Sequence, residues 1–284
     1  MIIVKLIGGL GNQMFQYTLG RALANKHKTE LFFDTGSFAT ALPRRQYALD
    51  VFNIFGRIAN KSDLEKFFPS GIKKLLQRLN LYNYKHIKEL QFNFDPAILN
   101  LPDNTYLDGY WQSEKYFNKI EPKIRQELTL KDGDNLFDQS VLKSIRETES
   151  ISLHVRRQDY ITDNKISKIH GACSLEYYQQ AIKKILTVAK NPQLFIFSDD
   201  LAWAKNNLKF DLPASFIEHG IKNDYKDLIL MSRCRHNIIA NSSFGWWAAW
   251  LNQNPDKIII APKKWFQNET RDTKDLIPKK WLTL

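Results

Sequence analysis

The stretch "MIIVKLIGGLGNQMFQY", residues 1–17, runs from a strand-like apolar segment into three glycines within four positions and then into a helical pattern. A dinucleotide fingerprint would need a small residue where Met14 stands. A phosphate-binding P-loop would need Gly-Lys-Ser/Thr where the chain has Gly11-Asn12-Gln13. Beyond the turn, Met14, Phe15, Leu19, Ala22 and Leu23 recur at helical spacing, which predicts an amphipathic helix over residues 12–26. Residues 30–34, Glu-Leu-Phe-Phe-Asp, read as a second strand, so the chain opens with a βαβ unit.

The same rhythm returns in the second half. Short apolar runs at residues 151–155, 194–197, 215–217, 237–240 and 257–260 alternate with helical segments. One of these helices starts at a Ser174 N-cap and is stopped by Asn191-Pro192. Such alternation predicts an α/β fold with parallel, doubly wound sheets, which bind ligands at the carboxyl ends of their strands. Residues 36–148 are harder to read and show aromatic clusters around Phe67, Tyr82 and Tyr106. The polar, turn-rich stretch after Leu130 suggests two domains, residues 1–148 and 149–284.

With 284 residues, of which 43% are hydrophobic and 13% aromatic, the chain can build real cores, which excludes the disordered classes. Lys and Arg exceed Asp and Glu by 41 − 30 = 11, a balance that suits an anionic partner such as a nucleotide diphosphate. The basic residues fall mostly in scattered pairs such as Lys73-Lys74 and Lys263-Lys264, as expected of solvated faces. Cys173 and Cys234 lack zinc-type spacing and suit a reducing compartment. With no signal-peptide pattern and no apolar run of about 18 residues, the expectation is a cytoplasmic protein.

Three strand ends carry polar clusters. In "LHVRRQDY", residues 153–160, one arginine is expected to reach a ligand while the other is held by Asp159, and His154 shares a face with Arg156. The bland alternative is a structural Arg157–Asp159 pair. In "FIFSDD", residues 195–200, one aspartate is expected to cap the next helix. The other would be left free to accept from guanine N1–H and N2–H₂. In "IIANSSFGWWAAWLN", residues 238–252, Ser242 and Ser243 sit where a helix begins and predict an anion site, while the tryptophans read as core.

Taken together, the motifs GGLGNQMFQY (8–17), HVRRxDY (154–160), FSDD (197–200) and ANSSFxWWAAW (240–250) resemble the α-1,2-fucosyltransferases of glycosyltransferase family 11, in the same order along residues 1–260. The resemblance implies a GT-B-like variant with two facing Rossmann-like domains, the first on the acceptor side and the second binding GDP-fucose. It implies inverting transfer of L-fucose from GDP-β-L-fucose to the 2-hydroxyl of a galactose. Carried over residue by residue, Arg156 holds the β-phosphate with His154 beside it, Asp199 or Asp200 reads guanine, and Ser242, Ser243 and Phe244 grip the diphosphate. Gly11 lets backbone approach the sugar, and Asn12 and Gln13 orient it, although a helix cap is the plain alternative for Asn12. Two positions depart from the family's pattern: Gln158 stands where Gly is usual and Gly245 where Ser is usual.

The implied mechanism is electrostatic, needs no divalent metal and has no cofactor beyond the donor, with Asp159 and Asp163 as candidates for a general base. A lipid-linked acceptor would add peripheral contact with a membrane. Two other classes remain open at this point. Asp132-Gly133-Asp134 fits the DxD letters of a metal-dependent transferase, and the basic charge and 36 aromatic residues (18 Phe, 11 Tyr, 7 Trp) would suit a nucleic-acid-binding module.

Overall fold

The computed structural model describes residues 1–40, 45–69, 71, 82–220, 223–267 and 271–284. Lys73 and Lys74 lie outside the described residues. The chain divides into two compact units, Met1–Lys131 with Asp272–Leu276, and Asp132–Arg271 with Ile277–Leu284.

The first unit holds five parallel strands, β1 (Ile2–Lys5), β2 (Leu31–Asp34), β3 (Arg57–Ile58), β4 (Lys85–Lys88) and β5 (Thr105–Asp108), in the order β3-β2-β1-β5-β4. The chain goes outward from β1 through β2 to β3, crosses to the opposite edge as β4 and comes inward as β5, so the switch point lies between the carboxyl ends of β1 and β5. The opening helix runs Leu10–His27, two residues earlier than its periodicity suggests. It is also buried on nearly every face through its first four turns, so the amphipathic expectation does not hold. Its second side is covered by the connection after β5, where Phe117 meets Phe15 at 6.5 Å between ring centroids. Gly20 permits the helix to lie on the sheet, since a Cβ there would come within 2.2 Å of Val4 Cγ2. The helix ends on Lys28 in the left-handed region, with Lys26 and His27 in the last turn, where positive charge suits the helix dipole.

Several aromatic residues of the middle region are core, Phe67, Tyr106 and Trp111 among them. Tyr106 on β5 meets Phe67, Phe68 and His86 at 6.0, 5.0 and 5.0 Å, and Tyr84 packs edge-on against Phe67 at 5.1 Å. Residues 272–276 return to this unit because Asp275 accepts from the Phe94 amide, pairs with Lys115, and offers its backbone carbonyl to Ser113 at 2.7 Å.

The second unit holds β6 (Glu149–Val155), β7 (Pro192–Ser198), β8 (Ala214–Ile217), β9 (His236–Ile238), β10 (Ile259–Ala261) and β11 (Leu282–Thr283), all parallel, in the order β11-β10-β9-β6-β7-β8. The helix Gln139–Glu147, which an expected boundary at residue 148 would leave in the first domain, buries Leu142 and Ile145 and packs on β6 in the second unit. Asp134 pairs with Arg146 at 3.3 Å and Arg233 at 3.0 Å, which ties the preceding turn to the same unit. At the amino end of this sheet, buried Asn237 donates to Ser152 Oγ (2.7 Å) and to the Met231 carbonyl (2.8 Å). Asn252 donates to Asn237 Oδ1 (2.7 Å) and closes a satisfied polar lock. Trp246, Trp247 and Trp250 are buried as core: Trp246 stacks on Trp250, Trp247 meets both edge-on, and Trp281 packs against Trp246. The switch point here lies between the carboxyl ends of β6 and β9, where two of the predicted clusters stand. Among the described residues, no helix is long and apolar enough to cross a membrane.

Candidate functional site

In the second unit, β6 delivers His154 and Arg156, and β9 leads through Asn241 to Ser242 at the N-cap of the helix Ser243–Leu251. Arg156 Nη2 donates to Asp159 at 2.8 Å and Nη1 lies 3.3 Å from Asp199, leaving the side chain 28% exposed. Burial opposes its charge, but the carboxylates of Asp199 and Asp159 more than offset this and raise its pKa further. The expected division of labour is therefore corrected: Asp159 holds Arg156 itself, because the helix Gln158–Thr162 places residue 159 one turn beyond 156. Arg157 lies with its guanidinium 3.7 Å from the Trp203 ring centroid.

Asp199 also accepts from the backbone N–H groups of Arg157 (2.8 Å) and Gln158 (3.2 Å). Asp200 caps the helix Leu201–Asn207 by accepting from Trp203 N at 3.1 Å. The expectation of one wholly free carboxylate in this pair is thus not met: Asp199 is an orienting group for Arg156, and Asp200 keeps one oxygen outside the cap bond. Sequence reasoning missed Asp224, at the start of the helix Asp224–Arg233 beyond β8, whose pKa burial pushes up to about 6. Its signal was the carboxylate in the first turn after an apolar strand.

His154 is 4% exposed. Burial, then the neighbouring Arg156 charge, pushes its pKa down to about 3, so the imidazole is neutral. Its Nδ1 has no hydrogen-bond partner among the described residues. Gly245 explains the ring's position, because a Cβ there would stand 2.5 Å from His154 Nδ1, and Phe244 packs against the imidazole at 5.6 Å. The departure at position 245 thus matches a close histidine approach. Ser242 Oγ accepts from Phe244 N at 3.3 Å, and Ser243 lies in the first turn.

Asn241 went unremarked in the sequence, yet it fastens the segment after Arg156. Its Nδ2 donates to the carbonyls of His170, Gly171 and Trp265, each at 3.0 Å, and its own carbonyl accepts from Tyr160 OH at 3.0 Å. Tyr160 stacks on His170 at 4.8 Å. Of the two base candidates, Asp159 is committed to Arg156, and Asp163 accepts from Ile166 N at the head of the helix Asn164–Ile169.

In the first unit the glycine turn stands at the β1/β5 switch point. Gly8 adopts φ +80°, and a Cβ there would meet Asn12 Nδ2 at 2.5 Å. Gly9 is the helix N-cap, so Gly11 and Asn12 lie inside the first turn and Asn12 is not a cap. Asn12 Oδ1 accepts from Gln112 Nε2 at 2.8 Å. Gln13 is fully buried, donates to the carbonyls of Gly8 (3.2 Å) and Gln46 (2.8 Å), and accepts from Ala48 N (3.0 Å). Its amide holds the turn rather than facing a ligand, which corrects its expected role. Gln16, unremarked in the sequence, bridges the strand ends by accepting from Ile7 N and donating to the Gly109 carbonyl.

In the second unit an Arg156 fork and a serine-capped helix start stand at the switch point of a parallel sheet, an arrangement whose chemistry suits an anionic, phosphate-bearing ligand. The fold agrees: a structure of NodZ α-1,6-fucosyltransferase soaked with GDP-fucose superposes with a TM-score of 0.50 at 16% identity over 88% of this chain and 91% of that one. The whole chain, residues 1–284, matches the profile of glycosyl transferase family 11, and it belongs to that family. An α-1,2-colitosyltransferase of Escherichia coli is 32% identical over 100% of this chain and 99% of its own. The galactoside 2-α-L-fucosyltransferase Sec1 of Mus musculus is 25% identical over 92% of this chain and 67% of its own.

Proposed function

We propose that this glycosyltransferase moves L-fucose from GDP-β-L-fucose to the 2-hydroxyl of a galactose in a glycan or glycan precursor, forming an α-1,2 linkage with inversion. Family membership along the entire chain and the transfer named for the mouse relative support the reading. The observation that carries the mechanism is the Arg156 guanidinium clamped by Asp159 and Asp199 at the switch point. The galactose oxygen attacks fucose C1 opposite the leaving group, the C1–O bond breaks, its electron pair stays on the β-phosphate, and the hydroxyl proton is released. Arg156 and the positive end of the helix that begins at Ser242-Ser243-Phe244 meet that charge without a divalent metal. His154, neutral, fills the space beside Arg156 without adding charge. Gly11 and Asn12 serve the sugar side, with the first unit taking the acceptor and the second the donor. Such a chain works in the cytoplasm, where its charge of +11 also suits a lipid-linked acceptor at an anionic membrane.

Guanine reading falls to Asp200 or Asp224, the carboxylates at this edge that keep acceptor capacity. GDP is expected to raise the melting temperature while UDP and ADP leave it unchanged. Asp200→Asn or Asp224→Asn should remove about 1–3 kcal/mol of GDP binding without touching UDP. Equal shifts with all three nucleotides would defeat the guanine assignment.

A second reading follows from the bacterial relative, whose named sugar is colitose. Colitose is L-fucose without its 3-hydroxyl. A site that hydrogen-bonds this hydroxyl rejects the deoxy sugar strongly, whereas an apolar wall there discriminates weakly. Competing GDP-fucose against GDP-colitose decides between the two donors.

A further inference from the structure

The proposed transfer needs a seat for the acceptor galactose, and we infer that Tyr110 is its stacking platform; the inference deepens the galactoside reading above and rests on it. The turn after β5 lies at the switch point of the first unit. Glu89, directly after the neighbouring β4, accepts from two consecutive backbone amides, Tyr110 N at 2.7 Å and Trp111 N at 2.9 Å, one on each carboxylate oxygen. The Gly109 carbonyl is held by Gln16 at 3.1 Å, and the next side chain, Gln112, is tied to Asn12 at 2.8 Å.

The turn is fixed at a price in strain. Trp111 sits at φ +57°, a left-handed conformation that a bulky side chain adopts only under strain. Its indole is 1% exposed, and Nε1 has no hydrogen-bond partner among the described residues. Gly109 is required as well, since a Cβ would meet Glu89 Cβ at 2.4 Å and Trp111 Cε2 at 2.8 Å. Strain so heavily over-determined marks functional segments. Its geometric product is simple: Trp111 turns inward, and Tyr110 is left 39% exposed at the carboxyl end of β5.

A tyrosine there offers an apolar ring with a polar rim. Galactose offers the complement, because its axial 4-hydroxyl points to one side and leaves the C–H groups of C3, C4 and C5 together on the other. A ring under that face leaves the 2-hydroxyl at the sugar's edge, open for transfer. Glucose-configured acceptors, with an equatorial 4-hydroxyl, present a less apolar face.

Steady-state kinetics on the full chain with GDP-fucose and a β-galactoside test this. Tyr110→Ala should raise the acceptor KM about tenfold or more while the GDP-fucose KM stays within about twofold. Tyr110→Phe, which keeps the ring, should hold the acceptor KM within about threefold of the parent. An unchanged acceptor KM in Tyr110→Ala overturns the platform, as does a Phe variant as impaired as the Ala one. If the parent enzyme fucosylates other sugars but no β-galactoside, the galactose reading falls and the platform with it; the variant results overturn the platform alone.

Discussion

Arg156 is gripped from two sides, so its charge and its direction are both set before any ligand arrives. Lysine keeps the charge but cannot satisfy Asp159 and Asp199 while also facing a phosphate. Arg156→Lys should therefore lower turnover by about 10²-fold or more with the circular dichroism unchanged; parent-like rates would remove Arg156 from the leaving-group role. His154 gives a different readout. Its folded pKa, pushed down to about 3, lies below its ordinary value, so between those limits the unfolded chain binds the extra proton. Stability then rises with pH through this window, is complete above about pH 6.5, and is lost on acidification by about 1.4 kcal/mol per pH unit. Denaturant titrations at pH 7 and pH 5 should show His154→Gln losing about 2 kcal/mol less than the parent. Equal losses would mean that the imidazole is not buried neutral. At this scale the sequence showed which residues gather, but not their partners. Arg156 rather than Arg157 takes Asp159 because a helix begins between them, and Gln13 is turned inward by carbonyls of residues 8 and 46, a tertiary fact with no local signal.

Among the elements, β6 and β7 were legible because the central residues of each are buried on both faces and form a compact apolar run. In the first unit β1 and β2 were legible as well, but β3 and β4 were not. β3 has two residues and β4 reads Lys-His-Ile-Lys, since both are edge strands with little to bury. The opening helix misled for the opposite reason, being covered on a side that its own periodicity does not report. The helices after Arg156 depend on Asn241, which gathers three carbonyls from residues 170, 171 and 265. Asn241→Ala leaves those carbonyls unpaired in a buried site and should destabilise by roughly 2–4 kcal/mol. Amide hydrogen exchange should speed up across residues 158–171, while β6 and β7 stay protected. Uniform loss of protection over the whole unit would show that Asn241 supports the core instead of this segment.

At the scale of the molecule, each of the two sheets carries polar groups at its own topological switch point, and the rule that parallel sheets bind at their strands' carboxyl ends had pointed to the strand-end clusters of the second unit before any contact was known. The alternative DxD letters fare differently: Asp134 is engaged by Arg146 and Arg233. Fucose transfer should therefore run undiminished in excess EDTA, and activity that EDTA abolishes and Mn²⁺ restores would overturn the metal-free mechanism. The central claim is the reaction itself. The most direct measurement incubates the protein with GDP-β-L-fucose and a β-galactoside and assigns the product linkage by NMR. The account predicts one α-configured fucose on the galactose 2-hydroxyl, with one GDP released per transfer; fucose joined at another position, or with retained β configuration, would contradict it.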